Sequence, residues 1–563
     1  MKRKIVTWAA VATIGSAAAQ SGASAGGLLM DKDVLMPADM VSLSQTQFNF
    51  GSARVMAMAG AFTSLGADVS SMSINPAGLG MYRKSEISLT PMMTFGHGTT
   101  DAAPYGKNST GRFSMANTSV AIKVYEGTRK LMGVTIGVGY NRIADFNYDS
   151  SFQRQNQQAT VADVFARQMV RSGFSKNGFY DYGGAGDWDW DLIPVDLWNS
   201  ALAYRAFMID QIDPDNPATW RPTWIGNDAA IGHYTTVKSR GSAGEYDVSV
   251  GLNVENKFYF GATIGIQSLR RRLYIDYAED YRYADPSGAV PEYGLDPSLD
   301  YQLLYAKLNQ AVTVSGIGAN LKLGIIYRPV VGLRLGVAFH TRTYYSLDRE
   351  FQSSAAGMAY ANRDTDPNVR PVDGYISSGT IDMTTPLLVD ENPYNWSFVA
   401  PARLLFGASY AFGARAVVSV DYERDWYNGI RLRNNPSEVA TGIYNDTFRQ
   451  HFKGSNIVRI GAEFKAAPWL ALRAGVGYSG SMLRDSNTIP ASPIIKRTTY
   501  CSAGLGWTLS RTVTLDLAYQ YAVRKTTDYY LFYVEEGSDH AESSLYSTKF
   551  TQHNVALTLG FRF

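Results

Sequence analysis

The sequence predicts an all-β fold: a 14-stranded antiparallel transmembrane β-barrel with an N-terminal plug and long extracellular loops. Three observations lead there. Short segments with period-two alternation recur about fourteen times after residue 85, and period two is the signature of a strand. The connections alternate between very short and long. The face opposite the apolar one collects Arg, Lys, Asp and Glu, which suits a wet or plugged lumen rather than the dry interior of a sandwich.

The last segment shows the alternation best, with Val555, Leu557, Leu559, Phe561 and Phe563 on one face and Asn554, Ala556, Thr558, Gly560 and Arg562 on the other. The spacing places strands near 86–95, 112–125, 130–142, 242–254, 258–276, 308–328, 331–348, 396–412, 415–427, 454–466, 469–482, 498–509, 511–524 and 546–563. Turn-forming residues mark the short connections, as in Arg328-Pro329-Val330 and Glu255-Asn256-Lys257. An even, up-and-down set puts both chain ends at the short-turn end, the periplasmic end of an outer-membrane barrel. A Lys or Arg facing lipid near the midplane costs about 2–4 kcal/mol, and the charges avoid that face.

The start of the chain reads as a secretory signal. Lys2, Arg3 and Lys4 precede a short apolar run from Ile5 to Ile14, and Ala17-Ala18-Ala19 offers a cleavage site. The expected division is therefore 1–19 signal peptide, 20–85 plug, and 86–563 barrel, with a long outer loop at 143–241. No later stretch is long and apolar enough for a membrane helix. A net charge of +2 leaves no nucleic-acid footprint. The single cysteine, Cys501, reads as a lipid-facing filler. Six scattered histidines lack metal-ligand spacing, and no nucleophile elbow, phosphate loop or dinucleotide fingerprint occurs. No metal, cofactor or enzymatic activity is expected.

Before the first strand, Ser52 is placed to cap a short helix in which Val55, Met58, Ala59 and Phe62 share a face. The turn-forming run Ile74-Asn75-Pro76-Ala77-Gly78-Leu79-Gly80 follows. Asn75-Pro76-Ala77-Gly78, behind a small-residue helix and ahead of strand one, resembles the hatch motif of the FadL-type family (OMPP1/FadL/TodX). Members of that family pass long-chain fatty acids and other hydrophobic compounds through the outer membrane. The run from Ala53 to Phe62 is similar to a Bacteroidetes-like branch of it, and Gly139 to Phe146 also looks familial. The likeness spans the mature chain and is sharpest over 51–95 and 130–147.

The resemblance implies passive transport of hydrophobic small molecules, with capture at outer loops, a hatch made by Asn75, Pro76, Ala77 and Gly78, and sideways exit at strand three. Gly133, Gly137 and Gly139 are candidates for that lateral gate, although glycines inside a barrel also serve to make room. The aromatic-rich outer loop offers Phe174, Phe179, Trp188, Trp190 and Trp198 as a capture groove, or else as a self-packed lid. The longest insertion of this chain follows strand three, whereas the family places its capture loops between later strands. An acidic ligand needs cations, for which Arg270, His340 and Arg342 are candidates. The expected partners are the ligand, outer-membrane lipids and the barrel-assembly machinery, with a monomeric barrel in the outer membrane. A structural or adhesive surface barrel, or a haem-related receptor, is the alternative.

Overall fold

The structure, a computed structural model, describes residues 24–26, 29, 37–45, 50–181, 193–194, 197–223, 229–283, 301–361, 379–385, 387–389, 394–434, 438–485, 492–536 and 539–563. Fourteen strands pair in sequence and close: β1 (Glu86–Thr100), β2 (Ser109–Glu126), β3 (Leu131–Asp145), β4 (Ala229–Val254), β5 (Phe258–Tyr283), β6 (Tyr301–Tyr327), β7 (Leu333–His340), β8 (Arg403–Phe412), β9 (Ala416–Trp426), β10 (Gly454–Ala467), β11 (Leu470–Ser479), β12 (Ile495–Thr508), β13 (Val513–Thr526) and β14 (Thr548–Arg562). Every neighbouring pair is antiparallel, and β14 returns to β1 through Glu86↔Arg562 and Ile87↔Phe561. Closure leaves no edge strand at the seam, so the ladder satisfies the backbone polar groups that face hydrocarbon.

The alternation becomes a wall with two chemistries. Val138, Val248, Ile264 and Ile317 point outward and are more than half exposed, the expected state of side chains that face lipid. Their neighbours Ser119, Asp247, Thr263 and Lys322 point inward and are buried.

The middle strands run further than the alternation predicts. β4 begins at Ala229 rather than near 242, and β5 continues to Tyr283 rather than 276. β7 and β8 also continue outward, after short breaks, as Tyr344–Ala361 and Tyr394–Val399. These extensions stand above the bilayer, where an outer face need not be apolar. Their inner faces, including Leu273, Ile275, Tyr277 and Phe351, pack a cluster with the helices of the long outer loop.

The helices are α1 (Pro37–Ser44), α2 (Ala53–Ala57), α3 (Ser71–Ile74), α4 (Val161–Ser172), α5 (Lys176–Asp181), α6 (Trp198–Arg205) and α7 (Glu438–His451). The Ser52 hydroxyl caps α2, accepting from the Val55 N–H at 3.3 Å. The helix is shorter than the apolar spacing implies. Ala59 and Gly60 adopt φ of 54° and 75°, and this left-handed pair turns the chain before Phe62.

Residues 50–82 sit inside the barrel. The leading segment departs from the expectation that both ends lie at the short-turn end. Phe563 is there, exchanging backbone bonds with Ser85. Ser24–Gly26 instead pairs with Tyr533–Glu535 in the long connection between β13 and β14. The strand pattern could locate only strand ends, and this segment is not part of the up-and-down count.

Candidate functional site

The plug is seated on glycines. Facing residues 57–80 are Gly251, Gly261, Gly324, Gly336 and Gly407 on the successive strands β4 to β8, and Gly461 and Gly475 on β10 and β11. A Cβ on Gly251 would lie 2.5 Å from the Gly80 nitrogen, and one on Gly475 would lie 2.5 Å from the Met58 carbonyl carbon. Gly261 and Gly336 press on the backbone of Pro76 and Thr63, and Gly324 on the Asn75 side chain. With no side chains in the way, plug backbone and wall backbone come into van der Waals contact.

Asn75 ties the motif together. Its Oδ1 accepts from the Ala77 N–H at 3.1 Å, which starts the tight turn Pro76–Met81. Its Nδ2 donates to the Thr63 carbonyl at 2.6 Å and reaches the Ile325 and Val337 carbonyls of β6 and β7 at 3.4 and 3.5 Å. Pro76 supplies the fixed φ at the first helical position. Ala77 is buried against Tyr259 and Ile326. At Gly78 a Cβ would stand 2.5 Å from the Ser71 hydroxyl and 2.8 Å from the Gly66 Cα, so glycine is required by space.

Wall polar groups complete the seat. Ser502 accepts from Ala59 N–H and donates to the Ala57 carbonyl, Arg334 donates to the Leu65 carbonyl, and Arg54 pairs with Glu463 at 2.9 Å. Around the plug several luminal charges pair with one another. Lys322 bridges Glu245 and Asp247, Arg459 meets Glu423 at 2.6 Å, and Arg473 joins Glu463 and Asp516. Such buried pairs are weak evidence for stability but leave no uncompensated charge.

Above the plug the wall parts. The ladder between β2 and β3 stops at Asn117↔Asn141, while β3 stays with β4 as far as Asp145↔Ser242. Residues 109–116 of β2 therefore keep a partner only on β1. The chain then turns inward, so that Ser150 and Asp149 abut Gly98 on β1. Asp145, fully buried, pins the turn: it pairs with Arg142 at 2.7 Å and accepts from the Asn147 N–H at 2.9 Å.

A cavity of about 60 Å³ lies against this turn, and its lining includes Asp145, Phe146, Arg271, Arg524, Phe550 and, from the leading segment, Gln45. Arg271 stands 5.9 Å over the Phe146 ring and Arg524 5.9 Å over that of Phe550. Arg524 is only 4% exposed, and the Nε of each arginine has no hydrogen-bond partner among the described residues. The cavity thus combines aromatic faces with two guanidinium groups, and the Asp145 carboxylate acts electrostatically on Arg524.

The other residues singled out by sequence are placed as follows. Gly137 faces Met72 and Leu79 of the plug, Gly139 faces Ser119 and Met72, and Gly133 has only ordinary contacts. All three are paired on both sides, below the parting. Phe179 and Trp198 are buried inside the outer-loop cluster and Phe174 packs on it, which is the self-packed arrangement rather than an open groove. Trp188 and Trp190 lie outside the described residues. Arg270 is exposed and points outward; the period of two turns Arg271 inward instead. His340 faces the lumen, but its Nε2 is engaged with the Ile74 carbonyl at 2.9 Å. Arg342 is exposed beside Gly429. Sequence reasoning missed Arg524, whose inward parity on β13 was the available signal.

A closed barrel with an apolar outer face and a plug in its lumen is the architecture of an outer-membrane protein. The pattern of the outer membrane protein transport protein family (OMPP1/FadL/TodX) matches residues 227–563, and the chain belongs to that family. Among solved structures it is similar to a Pseudomonas aeruginosa FadL homologue, with 12% identity over 91% of this chain and 99% of that one and a TM-score of 0.48. The P. putida toluene transporter TodX is 14% identical over 92% and 99%, with a TM-score of 0.46. The CymD monoaromatic hydrocarbon channel is 14% identical over 92% and 98%, with a TM-score of 0.44. No curated protein sequence matches the chain significantly.

Proposed function

We propose that this channel carries hydrophobic molecules with an acidic end, such as long-chain fatty acids, passively into the outer membrane, and that they leave sideways where β2 and β3 part. The observation that carries this reading is the pair Arg271 and Arg524 beside Phe146 and Phe550, next to that parting. An apolar chain gains nothing by crossing a watery pore, and sideways exit keeps it out of water. Passage straight through is opposed by the glycine-seated plug. Asn75, Pro76, Ala77 and Gly78 act as the hatch, whose movement widens the route. At about 60 Å³ the cavity corresponds to a shut state, and the segment carrying Ser42 and Gln45 moves when ligand enters. In this reading the barrel works as a monomer, is inserted by the assembly machinery, and keeps Phe563 on the periplasmic side.

The test is uptake of a labelled long-chain fatty acid, set against its methyl ester, by cells carrying the wild type, Arg524→Gln or Arg271→Gln. The acid is expected to lose at least tenfold in initial rate and the ester much less. Equal losses for both would remove the anion from the reading. Unchanged uptake of both would remove the cavity from the path.

A further inference from the structure

One row of cations crosses three neighbouring strands on the outside of the wall. Arg497 on β12 stands directly opposite Lys525 on β13, and Lys525 directly opposite Lys549 on β14. All three are exposed, and none forms an ion pair among the described residues. Directly opposed residues hold their Cβ atoms about 4.5–5.5 Å apart, and like charges so placed repel. Two such repulsions in one row call for an anion that all three share.

The height of the row says where that anion sits. Below it on the same outward face, Tyr519 and Tyr521 cluster with His553; the Tyr519 hydroxyl lies 2.7 Å from His553 Nδ1 and the Tyr521 and His553 rings are 5.1 Å apart. Aromatic girdles of this kind mark the membrane interface of a barrel. Lys525 is four residues further along β13, about 13 Å along the strand and nearer 10 Å along the bilayer normal once strand tilt is allowed for. That is headgroup depth at the long-loop end. The row also faces away from the lumen, so a solute in the channel cannot reach it.

We propose that Arg497, Lys525 and Lys549 form a binding site for the phosphorylated headgroup of a lipid in the outer face of the bilayer. A phosphate monoester offers close to two negative charges and three acceptor oxygens. That matches the guanidinium fork of Arg497 and two ammonium groups better than a lone carboxylate does. Thr99, opposite Lys549 on β1, is neutral and ends the row, which limits the site to about one headgroup.

The test uses the full barrel, stripped of lipid in neutral detergent, with three probes: diphosphorylated lipid A, the same lipid with its phosphates removed, and inorganic phosphate. Native mass spectrometry with competition reads the affinities. The wild type is expected to prefer the phosphorylated lipid at least tenfold over the dephosphorylated one. The R497Q/K525Q/K549Q variant is expected to lose that preference, while Lys465→Gln, an exposed change at the short-turn end, keeps it. Equal binding by the triple variant, or of the dephosphorylated lipid, overturns the proposal. Inorganic phosphate binding as tightly as the lipid overturns the lipid assignment. Lys525→Gln alone gives a second reading that does not depend on the triple variant folding: its lipid-free Tm should rise, because opposed charges are relieved, and the further rise on adding phosphorylated lipid should shrink. A lipid-induced rise equal to that of the wild type sinks the site.

Discussion

Thr63 gives both its backbone N–H and its hydroxyl to the same oxygen of Asp421, at 2.8 and 2.7 Å. One wall carboxylate on β9 thereby holds the plug at the point where its chain reverses between Phe62 and Leu65. Both donors are buried, so removing the acceptor leaves two unsatisfied groups at about 1–3 kcal/mol each. Asp421→Ala is expected to loosen the plug without opening the wall. Hydrogen exchange over residues 58–66 should accelerate at least tenfold while the strand ladders stay protected; unchanged exchange there would show that the carboxylate does not hold the plug.

The Gly324 contact with Asn75 makes a sharper test of the seat. Gly324→Ala drives a methyl into the Asn75 side chain, and Asn75→Ala removes the bonds to Thr63, Ile325 and Val337. Both are expected to unseat the motif, change fatty-acid uptake severalfold and admit a small hydrophilic antibiotic that the wild type excludes. Gly442→Ala, where a Cβ meets nothing within 4 Å, is the matched control. If Asn75→Ala imports as the wild type does and leaks nothing, the motif is a filler and not a hatch.

The strand count was legible because the membrane imposes one rule on every segment: outward residues must be apolar. Where that rule stops, sequence reading stops with it. The outer halves of β4 and β5 carry polar and aromatic residues on both faces, as in Lys238-Ser239-Arg240 and Tyr274 to Tyr281, and so read as loop. The plug motif was visible through Asn75-Pro76-Ala77-Gly78. The resemblance pointed to strand three for a parting, but its position was not legible, because it depends on where β2 loses a partner, a relation between Asn117 and Asn141 that neither residue signals alone. The cationic pair was half visible. Arg270 stands out in the sequence as a candidate, but only the register decides that its neighbour Arg271 looks inward, and Arg524 comes from eight strands further along.

The leading segment supplies the next prediction. Met40 and Val41 of α1 are fully buried in a cluster that includes Phe146, at the inward turn. Gln45 Nε2 is bonded to the Ile495 carbonyl at 2.6 Å. Putting a carboxylate at position 40 buries a charge without a partner, which costs several kcal/mol unless the helix leaves. Met40→Asp is expected to expel α1, enlarge the cavity and raise ligand occupancy severalfold by native mass spectrometry, with a lower Tm in the absence of ligand. A fall in occupancy would mean that α1 forms part of the binding surface instead of covering it.

The outer lid carries a pH dependence whose sign follows from burial. Glu279 accepts from Thr160 at 2.6 Å, from the Val161 N–H at 2.8 Å and from Tyr277 at 2.6 Å, and so fastens the start of α4 to β5. His233 lies 3.6 Å away with its Nε2 on the Ala159 carbonyl at 2.9 Å, and its Nδ1 has no partner among the described residues. It stands 21 residues above the short turn after Val254, about 70 Å of strand, well outside the bilayer. Burial lowers its pKa below the ordinary 6.5, an effect larger than the opposing pull of Glu279. The unlocked lid therefore binds a proton more readily than the docked one. Lid stability is full above about pH 6.5 and is lost progressively as pH falls through the docked value. Protection against hydrogen exchange over residues 160–170, taken relative to the intrinsic rate at each pH, is expected to fall between pH 7.5 and pH 5 and to lose most of that dependence in His233→Gln. Strands β10 to β14 serve as the internal reference whose protection does not change. A pH profile identical in the variant would place the titrating group elsewhere.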